Sequence, residues 1–209
     1  MTRVTFVRHG TTEWIERGLL HGVSDSPLSE RGRREALLAA RALAGQHFDA
    51  FYTSPLGRAV ETARILSPSV KLAPEPLEGL REMNFGRLEG TRLFNFADDP
   101  RWVRALHAAG VSFVVGLSGE SRHAFGKRVA SAAREMARRH PDQRVLAVIH
   151  MAVRSNILAR LVDGDPRAWV RYDGWPACAF TEVEIPAEGR ARIVHLVVNQ
   201  HLEPVRSSP

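Results

Sequence analysis

The chain has 209 residues, with 29 Lys and Arg against 23 Asp and Glu, for a formal net charge of +6. This length suits one domain whose core needs no covalent staples, and 44% hydrophobic with 25% charged residues excludes wholesale disorder. The single cysteine, Cys178, excludes an internal disulfide framework and a cysteine-rich zinc site.

The first apolar run, Val4 to Val7, reads as a strand ending at Arg8-His9-Gly10. No signal-type apolar segment precedes it, and no run approaches the roughly 18 residues of a membrane span, so a cytoplasmic location and no membrane partner are expected. Ser29 caps a helix with apolar positions Ala36, Leu37, Ala40, Leu43 and Ala44. A second strand, Phe48 to Thr53, stops at Ser54-Pro55, which reads as an N-cap followed by Pro at N1 of a helix to about Leu66. One short strand is expected around Val70 to Ala73.

From Gly79 to about Gly119 the pattern weakens. One helix is predicted there, Arg101 to Ala109, among Phe85, Phe94, Phe96, Trp102 and Phe113. A partly helical, lid-like insertion at about 86–118 within a single domain fits this stretch. Its aromatics either contact a ligand or form the insertion's own small core. A long helix follows from Ser121 to Arg139, then a continuous apolar strand, Arg144 to Ile149, of the kind buried on both faces. It runs into His150 and another helix. Two strands, Cys178 to Ile185 and Arg192 to Val198, close the chain as a hairpin. The alternation implies an α/β class, a three-layer α/β/α sandwich on a mostly parallel sheet with an antiparallel edge strand.

Ligands of open α/β sheets bind at the carboxyl ends of the strands. Arg8, His9 and His150 stand there, with Arg58 in the first turn of the helix after Ser54. Each has an ordinary reading as a structural imidazole or a surface charge. Together they make a pocket for a phosphate-sized dianion, because burying two guanidinium groups side by side is costly without an anion. Apart from Lys71 and Lys127 the basic residues are arginines, with no dense cluster, so no nucleic-acid partner is expected.

The motifs resemble the histidine phosphatase superfamily, which includes cofactor-dependent phosphoglycerate mutases. Thr5-Phe6-Val7-Arg8-His9-Gly10-Thr11-Thr12-Glu13-Trp14 looks like its signature, and Asp25-Ser26-Pro27-Leu28-Ser29-Glu30-Arg31-Gly32 like its Asp-x-Pro-Leu turn. The segments from Ser54 to Ala63, from Leu80 to Gly90 and Gly119-Glu120-Ser121 follow in the family's order.

The resemblance implies a phosphomonoester hydrolase. His9 would attack phosphorus and carry a phosphohistidine, with its other ring nitrogen held by the Gly10 carbonyl. Arg8, Arg58 and His150 would grip the phosphoryl oxygens, and Glu82 would serve as general acid and then base. Glu82 otherwise reads as a surface carboxylate paired with Arg81 or Arg87. Thr12, His21, Gly22 and Met151 join the substrate-binding candidates; His21 contacts substrate or merely lines the loop. No metal and no cofactor is expected, since guanidinium groups supply the charge.

The chain departs from the family pattern at Thr11, at Ile15 where Asn is common, at His21 where Gln is common, and at Met151-Ala152 where Gly-Gly is common. The last change is expected to narrow the pocket or alter the backbone at His150. A phosphoglycerate mutase and a non-catalytic phospho-ligand-binding module are the alternatives. The expected partner is a small phosphomonoester; the oligomeric state is left open, with the apolar strand edges near the C-terminal hairpin compatible with a homodimer.

Overall fold

The computed structural model describes residues 1–92 and 119–203. The predicted helix at 101–109 and most of the expected insertion lie outside the described residues.

The strands are β1 (Thr2–Arg8), β2 (Ala50–Thr53), β3 (Glu75–Pro76), β4 (Arg144–Ile149), β5 (Phe180–Ile185) and β6 (Arg192–Val198). They form one sheet in the order β3-β2-β4-β1-β5-β6. The pairs β3-β2, β2-β4 and β4-β1 are parallel, whereas β1-β5 and β5-β6 are antiparallel. The closing hairpin thus adds two strands, and its outer strand, β6, carries exposed Leu196 and Val197. Inner strands β1 and β4 are apolar on both faces because helices cover both.

The helices are α1 (Glu13–Glu16), α2 (Glu30–Leu43), α3 (Gly57–Val70), α4 (Arg122–Arg139) and α5 (Met151–Leu158). On α2, Ala36, Ala39, Ala40 and Leu43 are buried at helical spacing, and Ser29 accepts the Gly32 N–H at 3.2 Å as the cap. On α4, Phe125, Val129, Ala132, Ala133 and Met136 form the buried stripe, capped by Ser121. Helices α2 and α3 pack together, as do α4 and α5, which gives the three layers. No helix among the described residues is long and apolar enough to cross a membrane.

Two local expectations are corrected. Helix α3 begins at Gly57 rather than directly after Ser54, with Leu56 at the N-cap and no side-chain cap bond. It also runs through Pro68 to Val70, so no strand occupies Val70 to Ala73, and β2 finds its parallel partner at Glu75–Pro76 instead.

Candidate active site

Register assembles the centre. Arg8 pairs with Ile149 across β1 and β4, and the His9 N–H donates to the Ile149 carbonyl at 3.0 Å. His9 and His150 therefore leave neighbouring parallel strands at the same level, with ring centroids 5.0 Å apart and planes at 58°. On the far side of β4, the Ser54 N–H donates to Val148 O at 2.9 Å, which sets the Ser54 hydroxyl 2.7 Å from His150 Nε2. His150 Nδ1 is buried and has no partner among the described residues.

The tautomer of His9 follows from its contacts. Nδ1 lies 2.8 Å from the Gly10 carbonyl, which can only accept, so Nδ1 carries the proton. Nε2 is then the bare nitrogen, and it accepts from Arg58 Nε at 3.3 Å. Gly10 must be glycine for this turn, because a Cβ there would stand 2.6 Å from Gly32 O.

Arg58 is 1% exposed. Its Nη2 donates to Gly22 O at 2.6 Å, and its Nη1 donates to Ser24 O at 3.2 Å and to Asp25 Oδ1 at 3.4 Å. Those acceptors offset the desolvation of a buried guanidinium. Arg8 Nη1 donates to the Trp175 carbonyl, while its Nε is buried without a partner among the described residues.

Burial first, and then the charges of Arg58 and Arg8, hold the His9 imidazolium well below its usual range. Burial, Arg58 and His9 do the same to His150. Glu82 is 6% exposed and moves the other way: burial raises its carboxyl, against N–H donation from Met83 at 2.9 Å, the charge of Arg58 and N–H donation from Ala152 at 3.3 Å. The pocket thus opposes a neutral imidazole to a carboxyl biased toward its protonated form.

The remaining candidates occupy varied places. Thr12 is fully buried, and its hydroxyl accepts the Ile15 N–H at 3.2 Å and lies 3.3 Å from His21 Nδ1. His21 rests 5.2 Å from the Trp14 ring, and burial followed by Arg58 pushes it down to about 3. The His21 imidazole is thus neutral, and its Nε2 is buried and without a partner among the described residues. Gly22 contributes the carbonyl that holds Arg58. Met151 is partly buried against the core. His150 has φ −119°, and neither Met151 nor Ala152 has positive φ, so this helix start needs no glycine and the two side chains leave its backbone regular.

Several supporting residues escaped the sequence reading. Thr62 accepts the Gly10 N–H at 3.1 Å and donates to Arg58 O at 2.7 Å, and its place one turn beyond Arg58 was the available signal. Glu35 accepts the Thr11 N–H at 2.9 Å, and Glu89 accepts from Val23 and Phe85 at 3.0 and 2.8 Å, joining two loops of the pocket. Arg154, 1% exposed, stacks 4.6 Å from the Trp175 ring, beneath the carbonyl that Arg8 uses.

The sequence profile of the histidine phosphatase superfamily (branch 1) matches residues 4–199. The chain belongs to the histidine phosphatase superfamily. Phosphoserine phosphatase 1 of Hydrogenobacter thermophilus is 32% identical over 155 residues, 72% of this chain and 71% of that protein. A Yersinia enterocolitica protein named "Probable phosphoglycerate mutase GpmB" is 30% identical over 168 residues, 80% of this chain and 78% of its own. The alpha-ribazole phosphatase of Shigella flexneri superposes with a TM-score of 0.79 at 26% identity, covering 95% of this chain and 96% of that one. This histidine phosphatase is accordingly a phosphoric monoester hydrolase by family and fold.

Proposed function

We propose that the chain hydrolyses small phosphomonoesters through a phosphohistidine on His9. The observation that carries the reading is the pair of contacts on one imidazole: Gly10 O at Nδ1 and Arg58 Nε at Nε2. They leave a neutral ring with its lone pair beside a buried cation.

In the first half-reaction, the Nε2 lone pair forms the N–P bond while the P–O bond to the leaving group breaks. The Glu82 carboxyl gives its proton to the departing alkoxide, releasing an alcohol. Arg8, Arg58 and His150 hold the phosphoryl oxygens, where charge is spread in a loose transition state. In the second, water attacks phosphorus, Glu82 takes its proton, the N–P electron pair returns to Nε2, and inorganic phosphate leaves. With two guanidinium groups on the phosphoryl oxygens, the cycle needs no metal ion, and chelator should leave the rate unchanged. His21 sets a neutral imidazole where the family pattern has an amide.

Phosphoserine and alpha-ribazole phosphate are the first substrates to try, because similar proteins bear those names. Release of inorganic phosphate from a phosphomonoester panel tests the reading; a panel in which none is turned over defeats it. The similar protein named as a mutase supports a second reading, phosphoryl transfer between phosphoglycerates. Supplying phosphoglycerate with and without bisphosphoglycerate separates the two, by whether phosphate is released or moved.

A further inference from the structure

The backbone that carries Glu82 is held from outside. Between the helical turns at Glu78–Leu80 and Gly86–Leu88 it has no regular structure, so its carbonyls lack a ladder. Arg128, in the second turn of α4, supplies the partners. Its Nη1 donates to Arg81 O at 2.8 Å and Gly79 O at 3.1 Å, and its Nη2 donates to Glu82 O at 3.4 Å. The same guanidinium meets the Glu120 carboxylate through Nε at 2.9 Å and Nη2 at 2.6 Å. Glu120 completes the grip with its backbone N–H on Asn84 O at 2.8 Å. Carbonyls on both sides of the acid, and that of the acid itself, are thus tied to one ion pair.

Packing reinforces the arrangement. One turn along α4 from Arg128, Ala132 lies so close to Gly79 that a Cβ there would stand 2.5 Å from Ala132 Cβ. A guanidinium fork suits several converging acceptors, which an ammonium does not. Its pairing with Glu120 matters as well. A lone cation behind the loop would favour ionised Glu82, whereas a neutralised one fixes geometry without drawing the acid toward its charged form.

We propose that Arg128 and Glu120 are positioning residues for the proton transfer to the leaving group. Their ion pair fixes residues 79–84 so that the Glu82 carboxyl meets the departing oxygen. The inference rests on the reading of Glu82 as the acid. Neither residue touches substrate; both act through the loop.

The test uses leaving-group dependence in the full-length enzyme, read as kcat/KM, which reports phosphorylation of His9 alone. An alkyl ester such as β-glycerophosphate needs its leaving group protonated; p-nitrophenyl phosphate does not. We expect Arg128→Met and the milder Glu120→Gln to lower kcat/KM for the alkyl ester by about 10- to 100-fold, and for the aryl ester by less than about threefold. Arg128→Lys should restore little, because the fork is lost. In a Glu82→Gln background neither substitution should lower the alkyl rate further. Equal losses on both esters, or losses that persist without Glu82, would overturn the proposal and leave a merely structural ion pair. If Glu82→Gln itself spares the alkyl ester, the acid assignment fails and the proposal falls with it. If Glu82→Gln is selective and the ion-pair variants are not, the proposal alone fails.

Discussion

Arg58 Nε points at His9 Nε2 across 3.3 Å, in a pocket where the guanidinium is 1% exposed. The contact does two things. It faces Nε2 with a donor, which favours the unprotonated nitrogen, and in the proposed cycle it sets a cation beside the phosphorus that this nitrogen attacks. Arg58→Lys retains the charge and loses the fork that also holds Gly22 and Ser24. Steady-state kinetics should show kcat/KM down by about 100- to 1,000-fold. A variant close to wild type would remove Arg58 from the phosphoryl site.

Activity should depend on pH through Glu82 rather than His9. The His9 imidazole is already neutral throughout the physiological range, since burial and then Arg58 and Arg8 hold it well below 6.5. Glu82, raised above 4.5 by burial, must be protonated to act as acid. For an alkyl ester, kcat/KM should be highest at acidic to neutral pH and fall as pH rises through the elevated Glu82 value. A profile flat from about pH 5 to about pH 9 would contradict that role.

Stability should fall on acidification. His9, His21, His150 and His201 all titrate below 6.5 in the folded chain, so between that value and their folded values the unfolded chain binds protons that the folded one does not. Stability is then lost as pH drops below 6.5. Glu82 opposes this, because its raised carboxyl takes up a proton in the folded state first. The net effect should remain a loss of stability, and His21→Gln should reduce the slope by about one proton. Thermal melts between about pH 7 and pH 5 measure both; a melting temperature that rises on acidification would contradict the assignment.

Met151 and Ala152 tolerate side chains because α5 starts from an extended His150 and not from a left-handed turn. Met151→Gly should therefore cost about 1–2 kcal/mol of stability, from lost packing and backbone freedom, without abolishing phosphate release. Denaturant titration and a phosphate assay read the two effects separately. An inactive, stable variant would mean that the Met151 side chain itself shapes the substrate pocket.

Much of this was legible in the sequence because periodicity and punctuation are local. The buried stripes of α2 and α4 and the doubly apolar β4 each announce their element, and His9 and His150 stand out at the ends of apolar strands. What was misread depends on distant partners. Ser54-Pro55 has the form of a helix cap, yet the Ser54 hydroxyl meets His150 across the sheet and the helix waits until Gly57. Val70 looked like the start of a strand, but its burial beside Leu66 on α3 keeps it helical. The grip of Arg128 on Gly79, Arg81 and Glu82 left no local trace, since it acts through backbone carbonyls remote in sequence.

The central claim is a covalent bond between phosphorus and His9 Nε2. Rapid quenching of a single turnover into alkali, followed by peptide mapping, tests it most directly. The account predicts a phosphoryl group on the peptide containing His9, formed and lost at rates compatible with turnover, and absent from His9→Ala. Phosphate release at the normal rate by His9→Ala, or a label carried by another residue, would contradict it.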